Sequence, residues 1–128
     1  MTKTKKKIAV VEDEQALQSV LAEWLDSEGY EPIPITTGRQ AIEEIPKRLP
    51  DLILLDILLP EIDGLTVMRQ LRENPETAKI PVVILSNLGD PAERREAEAL
   101  GARDYLVKAE HDFPSIKRVI ERVLQNGV

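Results

Sequence analysis

The chain has 128 residues, of which 42% are hydrophobic and 31% are charged, as expected of one soluble globular domain. Its 17 Lys and Arg residues against 23 Asp and Glu residues give a net charge of −6, which disfavours general nucleic-acid binding. The absence of cysteine excludes disulfide and thiol chemistry, and the first apolar run, Ile8 to Val11, is too short for a signal peptide or a membrane span. We therefore expect a cytoplasmic protein without a nucleic-acid or membrane partner.

A lysine-rich segment precedes this apolar run. Four of the five residues at positions 3–7 are lysine. Such a run could bind nucleic acid or a membrane, but it is more often a solvated tail. We expect a disordered basic tail over residues 1–6 and one domain over residues 7–126.

Strand and helix patterns alternate along the rest of the chain, without an internal repeat. Strands are predicted where apolar residues run continuously, and helices where apolar residues recur every three or four positions. In chain order, the predicted elements are a strand at 7–12, a helix at 14–29, a strand at 30–35, a helix at 38–48, a strand at 51–56, a helix at 65–73, a strand at 80–86, a helix at 90–100, a strand at 103–108 and a helix at 112–125.

Prolines add detail to three of these elements. Pro32 and Pro34 cannot donate to a ladder, which predicts that the second strand lies at an edge of the sheet. Pro46 is expected to end the second helix early, and Asp90 with Pro91 is expected to begin the fourth helix. The thin apolar face of the fourth helix consists of Ala92, Ala97, Ala99 and Leu100. This composition is typical of an element that can move and, equally, of a solvated charged helix.

Five strands alternating with five helices predict an α/β fold with a parallel sheet covered on both faces. The common order for five such strands is 2-1-3-4-5, which places the second strand at an edge, where its prolines also place it. We therefore predict a single-domain, doubly wound, flavodoxin-like sheet of five parallel strands in the order 2-1-3-4-5, with five helices.

Acidic residues end the two strands between which this order reverses. Glu12 and Asp13 follow the first strand, and Asp56 ends the third. Neighbouring strands lie about 5 Å apart, so these carboxylates should form a cluster in which like charges repel. A few carboxylates that leave room for water suit Mg²⁺. The alternative is that each acid is only a solvated strand end or a helix cap.

The other two strands end in groups that complement these acids. Ser86 and Asn87 end the fourth strand and Lys108 ends the fifth. An ammonium and a hydroxyl at the same edge supply the charge and the donor that a phosphoryl group needs. The sequence lacks a G-x-x-x-x-G-K-[ST] loop, and its one histidine, His111, has no nucleophilic partner at a strand end, so a P-loop enzyme and a hydrolase triad are unsupported.

Over residues 7–125 the chain resembles the response-regulator receiver domains of two-component signalling. The motifs that carry the resemblance are Glu12-Asp13, "LLDILLPEIDG", "ILS" and "GARDYLVK". The resemblance implies that Asp56 is the phospho-acceptor. It also implies that Mg²⁺ is held by Asp13, Asp56 and the backbone carbonyl of Leu58, with Glu12 acting mostly through water.

The resemblance assigns roles to further residues. Lys108 would pair with Asp56 and then with the phosphoryl group, and Ser86 would donate to a phosphoryl oxygen. Tyr105 would turn inward after phosphorylation, while Pro60 and Gly64 shape the loop after the acceptor. The phosphoryl donor would be a histidine kinase or a histidine phosphotransfer protein. Phosphorylation would change the face formed by the fourth helix, fifth strand and fifth helix, which would bind an unknown downstream protein.

Three departures from the usual receiver pattern surround the site. Ala109 stands where receivers usually have a proline joined to the lysine by a cis bond. A cis bond without proline costs about 3–4 kcal/mol, so we expect a trans bond, or a strained cis bond held by its surroundings. Asn87 replaces a small residue and could crowd or hydrogen-bond the phosphoryl group. Leu58 and Leu88 flank the site and cannot orient an attacking water, which predicts slow self-dephosphorylation.

Other functions remain as alternatives. A receiver-like interaction module would act without phosphorylation. An aspartyl-phosphate hydrolase would need an acid at the position of Leu58, and a flavin carrier would need aromatic residues at the strand ends. We expect a stand-alone switch, not an enzyme beyond its own phosphorylation and dephosphorylation. We expect a monomer, with pairing on phosphorylation through Arg94, Asp104 and Arg118 as an open alternative.

Overall fold

The computed structural model describes residues 4–87 and 89–126. In chain order its elements are β1 (Lys7–Val11), α1 (Gln15–Ser27), β2 (Glu31–Ile35), α2 (Gly38–Arg48), β3 (Leu52–Leu55), α3 (Gly64–Glu73), β4 (Val82–Ser86), α4 (Pro91–Ala99), β5 (Asp104–Val107), a 3₁₀ turn (Lys108–Glu110) and α5 (Phe113–Asn126). Every element predicted from the sequence is present, with ends that differ by at most two residues. In the predicted tail, Thr4, Lys5 and Lys6 are exposed and lie outside any helix or strand, while residues 1–3 lie outside the described residues.

All five strands are parallel, and their order is β2-β1-β3-β4-β5, which confirms the predicted topology. Successive residues of each strand point to opposite faces of the sheet. In β1, Ala9 and Val11 therefore enter one core layer while Ile8 and Val10 enter the other. Apolar residues of α2, α3 and α4 complete the first layer, and those of α1 and α5 complete the second. No helix in the described part of the chain is long and apolar enough to cross a membrane.

The prolines of β2 and α2 lie where the sequence predicted their effects. β2 pairs only with β1, so Pro32 and Pro34 lie in an edge strand, as predicted. α2 ends at Arg48, shortly after Pro46, where the sequence predicted it to end. The amide of Leu49 donates to the carbonyl of Ile45 at 2.8 Å and closes the last turn.

α4 begins with the residues that the sequence predicted, and few of its side chains are buried. Asp90 accepts a hydrogen bond from the amide of Ala92 at 2.8 Å, and Pro91 occupies the first helical position, as predicted. Within α4, which lies wholly in the described part of the chain, Ala97 is the one buried residue. Few buried contacts therefore hold this helix against the sheet.

The loop between β3 and α3 depends on a glycine. The amide of Gly64 donates to the carbonyl of Ile57 at 2.8 Å, which folds the loop back over the end of β3. A Cβ atom at Gly64 would overlap the carbonyl oxygen of Asp56 and lie 2.7 Å from the Cα atom of Ile57. Only a residue without a side chain permits this approach. Gly64 therefore shapes the loop after Asp56, as the sequence suggested.

We predict that Gly64→Ala lowers the free energy of unfolding by about 2 kcal/mol or more, since a backbone overlap cannot be relieved by turning a side chain. Urea unfolding followed by circular dichroism measures the loss. Gly89→Ala is the matched control, because a Cβ atom there would lie 3.4 Å from the Cγ2 atom of Val107. Equal stability of the two variants would contradict the prediction.

Candidate functional site

Three carboxylates meet at the carboxyl edge of the sheet, where β1 and β3 end side by side. Val11 is in register with Leu55, so the residues that follow, Glu12 and Asp56, are neighbours. The carboxylates of Glu12, Asp13 and Asp56 each offer an oxygen atom, and these three atoms lie within 4.8 Å of one another. Glu12 and Asp56 are only 3% and 4% exposed, whereas Asp13 is exposed. The sequence predicted this cluster correctly.

Lys108 places an ammonium group among these acids from the end of β5. Its Nζ atom lies 2.5 Å from Oε1 of Glu12 and 3.3 Å from Oδ2 of Asp56. The resemblance assigned Asp56 as its partner, but the nearer partner is Glu12. The ammonium therefore contacts both buried acids, from β1 and from β3.

The remaining oxygens of the two buried acids bind backbone amides. Oε2 of Glu12 accepts from the amide of Glu14 at 3.0 Å, and Oδ1 of Asp56 accepts from the amide of Leu58 at 3.2 Å. Each buried carboxylate therefore divides its two oxygens between Lys108 and a nearby backbone donor. This arrangement satisfies charges that would otherwise be costly to bury.

The charge of the site is unbalanced. Burial raises the pKa of Asp56, and the nearby charge of Glu12 raises it further, while Lys108 and the amide of Leu58 act in the opposite direction. Burial acts to lower the pKa of Lys108, but its bonds to Glu12 and Asp56 outweigh this effect, so the pKa is raised. One ammonium faces three carboxylates. An all-oxygen site with excess negative charge fits a hard divalent cation such as Mg²⁺.

Ser86 and Tyr105 form a buried pair beside the acids. Ser86 is 1% exposed at the end of β4, Tyr105 is 4% exposed in β5, and their side chains share a hydrogen bond. Burial raises the pKa of Tyr105. The guanidinium carbon of Arg94 lies 5.3 Å from the centre of the Tyr105 ring. The inward position that we expected for Tyr105 only after phosphorylation is the position that the structure shows.

The residues that flank the site are more exposed. The Leu58 side chain is 48% exposed, and Asn87 and Pro60 are also at the surface. Leu88, the other predicted flanking residue, lies outside the described residues. No peptide bond in the described part of the chain is cis, so the bond between Lys108 and Ala109 is trans, as we preferred. A 3₁₀ turn follows it over Lys108–Glu110.

Sequence reasoning missed Gln18. This residue of α1 is 5% exposed, and its side-chain amide donates to three backbone carbonyls below the acidic cluster. The signal was available, since Gln18 falls at helical spacing with Leu21 and Leu25, the other two buried residues of α1. A polar residue on that apolar face calls for a buried hydrogen-bond partner.

His111 does have a serine partner, although it lies in a helix and not at a strand end. Its Nδ1 atom lies 2.8 Å from Oγ of Ser115, which belongs to the first turn of α5. Within residues 4–87 and 89–126, no carboxylate forms a hydrogen bond with the imidazole. The pair therefore lacks the third member of a hydrolase triad.

Comparison with known proteins identifies related chains. The family model described as response regulator receiver domain matches residues 8–121. The phosphate regulon transcriptional regulatory protein PhoB of Rhizobium meliloti is 45% identical over 102 residues, which cover 80% of this chain and 45% of PhoB. The response regulator PleD of Caulobacter vibrioides is 37% identical over 113 residues, covering 88% of this chain and 25% of PleD. The chain thus spans less than half the length of these curated relatives.

Solved structures agree with this result. The receiver domain of the sensor histidine kinase PA1611 from Pseudomonas aeruginosa, which has a magnesium ion coordinated in its active-site cleft, is 27% identical with a TM-score of 0.87. That match covers 96% of this chain and 100% of the other. The BeF3-activated N-terminal receiver domain of RstA from Klebsiella pneumoniae is 30% identical with a TM-score of 0.85, covering 94% and 100%.

The raised pKa of Asp56 predicts how stability depends on pH. The folded state holds the Asp56 proton more tightly than the unfolded chain does. Above the pKa of Asp56 in the folded state, the ionised carboxylate therefore lowers the free energy of unfolding. This loss disappears as the pH falls toward the pKa in the unfolded chain, about 3.9. We expect Asp56→Asn to be more stable than wild type at pH 7, by on the order of 1 kcal/mol. The difference should shrink toward pH 4 in parallel urea titrations. A difference that stays constant or widens at low pH would contradict this expectation.

Proposed function

This chain belongs to the response regulator receiver domain family, and we propose that it is a switch that accepts a phosphoryl group on Asp56. The observation that carries the proposal is the position of Asp56. Its carboxylate lies at the carboxyl edge of the sheet, between two further acids and the ammonium of Lys108. A catalytic carboxylate needs both an ionised oxygen and nearby positive charge, and this edge supplies both.

The donor in this proposal is a phosphohistidine of a histidine kinase or of a histidine phosphotransfer protein. An ionised oxygen of Asp56 attacks the phosphorus in line with the bond to the donor histidine. The phosphorus–nitrogen bond breaks, and its electron pair returns to the imidazole ring. The product is an aspartyl phosphate, which carries roughly two negative charges where the ionised carboxylate carried one. We propose no catalytic turnover beyond this reaction and the hydrolysis of its product.

Asp13, Asp56 and the backbone carbonyl of Leu58 would hold Mg²⁺. Both oxygens of Glu12 already have partners, Lys108 and the amide of Glu14, which supports a role for Glu12 through water. When bound, Mg²⁺ offsets negative charge on the phosphoryl oxygens. Lys108 would do the same, by exchanging one of its two carboxylate contacts for a phosphoryl oxygen.

The signal would leave the site through Ser86 and Tyr105. Ser86 would donate to a phosphoryl oxygen, and its hydrogen bond to Tyr105 connects that event to the interior of the domain. Tyr105 in turn lies under Arg94 of α4, the helix with the fewest buried residues. A population shift in α4, β5 and α5 would then present a changed surface to a downstream protein.

Two observations favour a second candidate, an interaction module that acts without phosphorylation. Tyr105 is buried, and Lys108 lies nearer to Glu12 than to Asp56. For either candidate we propose a monomer. Of the residues considered for pairing, Asp104 is bonded within the chain to Arg122 at 2.8 Å and Arg94 lies 3.6 Å from Glu98, so pairing would have to replace these contacts.

The proposal predicts one phosphoryl group per chain when the protein is incubated with Mg²⁺ and a small acyl phosphate. Intact mass spectrometry measures the gain, with Asp56→Asn as the variant that cannot accept it. A control with Asp51→Asn keeps the acceptor, since Asp51 lies at the opposite end of β3 and caps the amide of Lys7. A gain in wild type and in the control, absent from Asp56→Asn, would support the switch. No gain in wild type would favour the phosphorylation-independent module.

Leu58 generates a prediction about the lifetime of the product. Its exposed apolar side chain cannot orient the water that must attack the aspartyl phosphate, so we expect slow self-dephosphorylation. Leu58→Asn supplies an amide at this position and should accelerate the loss of phosphate by about tenfold or more. The decay of the phosphorylated mass after removal of the donor gives both rates. Loss within seconds from wild type would contradict the expectation.

A further inference from the structure

Gln18 joins the ends of two strands directly beneath the acidic cluster. Its Nε2 atom donates to the carbonyl of Val10 at 2.7 Å and to the carbonyl of Ile35 at 2.9 Å, with a longer contact of 3.3 Å to the carbonyl of Glu12. Val10 lies near the end of β1, Glu12 directly follows that strand, and Ile35 is the last residue of β2. A single side chain of α1 therefore holds both strands where the site begins.

Backbone hydrogen bonds also hold this end of β1 on both sides, since the amide of Asp56 donates to the carbonyl of Val11 at 3.0 Å. The ladder between β1 and β2 ends with the pair Val11 and Ile35, and the amide of Glu12 donates to the carbonyl of Ile35 at 3.0 Å. Glu12 and Asp13 thus project from backbone that has just left the sheet. Their direction depends on what fixes the carbonyls on either side of Val11, and Gln18 binds both of these carbonyls.

The side-chain oxygen of Gln18 indicates that this position needs the donor of the amide and not its acceptor. Oε1 of Gln18 is buried without a hydrogen-bond partner within the described residues. An unpaired buried acceptor costs about 1–3 kcal/mol, so a glutamine is a costly choice if the position only needs to fill space. The Nε2 atom donates to three carbonyls that it brings together, while the oxygen of the same amide is left without a partner.

We propose that Gln18 is a positioning residue for the metal and phosphoryl site. It fixes the carboxyl end of β1 so that Glu12 and Asp13 meet Asp56 in an arrangement able to bind Mg²⁺. This inference rests on the proposed function, since it concerns the same site. Groups that orient metal ligands without touching the metal commonly change its affinity when they are removed.

The test compares two variants that each lose a buried hydrogen bond. Gln18→Met keeps the length and burial of the side chain but removes the donor. Thr77→Val is the control, because Thr77 is fully buried and its Oγ1 atom donates to the carbonyl of Leu71 at 2.7 Å, next to the C-terminal end of α3. Isothermal titration calorimetry at a temperature where both are folded gives the Kd for Mg²⁺. We expect about tenfold weaker binding by Gln18→Met and unchanged binding by Thr77→Val.

A second readout needs no metal. Amide hydrogen exchange, measured by NMR without Mg²⁺, should accelerate at Glu12 and Asp13 in Gln18→Met and stay unchanged there in Thr77→Val. If Gln18→Met does not fold, Gln18→Asn replaces it, since its amide is one methylene shorter and cannot reach all three carbonyls. Equal Kd values and equal exchange rates in wild type and the Gln18 variant would overturn the positioning role. A wild type that binds no Mg²⁺ would instead overturn the proposed function.

Discussion

The excess of negative charge beside Asp56 is the constraint on which the rest of this structure depends. Glu12 and Asp56 are almost fully buried, and one ammonium is shared between them. Burying an ion pair gains little by itself, because the loss of hydration offsets the attraction. The two apolar layers that cover the sheet must therefore supply the stability that tolerates this site. The buried charges lower the stability of the fold. Such destabilising groups are common where ionised side chains are held for a chemical reaction.

The sheet order makes this arrangement possible with short connections. β1 and β3 are adjacent, so their acids meet without long loops, while Lys108 must cross the end of β4 to reach them. Each buried acid also has a backbone donor two residues further along the chain, Glu14 for Glu12 and Leu58 for Asp56. The same local geometry at both strand ends shows how turn amides satisfy carboxylates that the sheet itself leaves unpaired.

The fold could be predicted because independent sequence signals agreed. The predictions that were wrong concern contacts that depend on the conformation of side chains. Pro32 and Pro34 placed β2 at the edge, and the common order of five parallel strands places it there too. Pro46 lies close to the observed end of α2 at Arg48, which was predicted correctly, and the left-handed Leu49 follows that end. The acidic cluster followed from topology alone. The shorter distance from Lys108 to Glu12 did not, because it depends on side-chain conformation, and the inward Tyr105 depends on packing that no local pattern encodes.

The buried pair of Ser86 and Tyr105 bears on how the proposed phosphorylation switch would work. A serine hydroxyl has one proton to donate and two positions at which it can accept. Ser86 can therefore donate to a phosphoryl oxygen and still accept from the hydroxyl of Tyr105, so phosphorylation does not require the ring to leave the interior. In the proposed switch, phosphorylation would change the charge at the edge of the sheet and give the Ser86 hydroxyl a phosphoryl oxygen as acceptor. Because α4 contributes only Ala97 to the buried residues, a small change beneath Arg94 would then alter the equilibrium position of this helix.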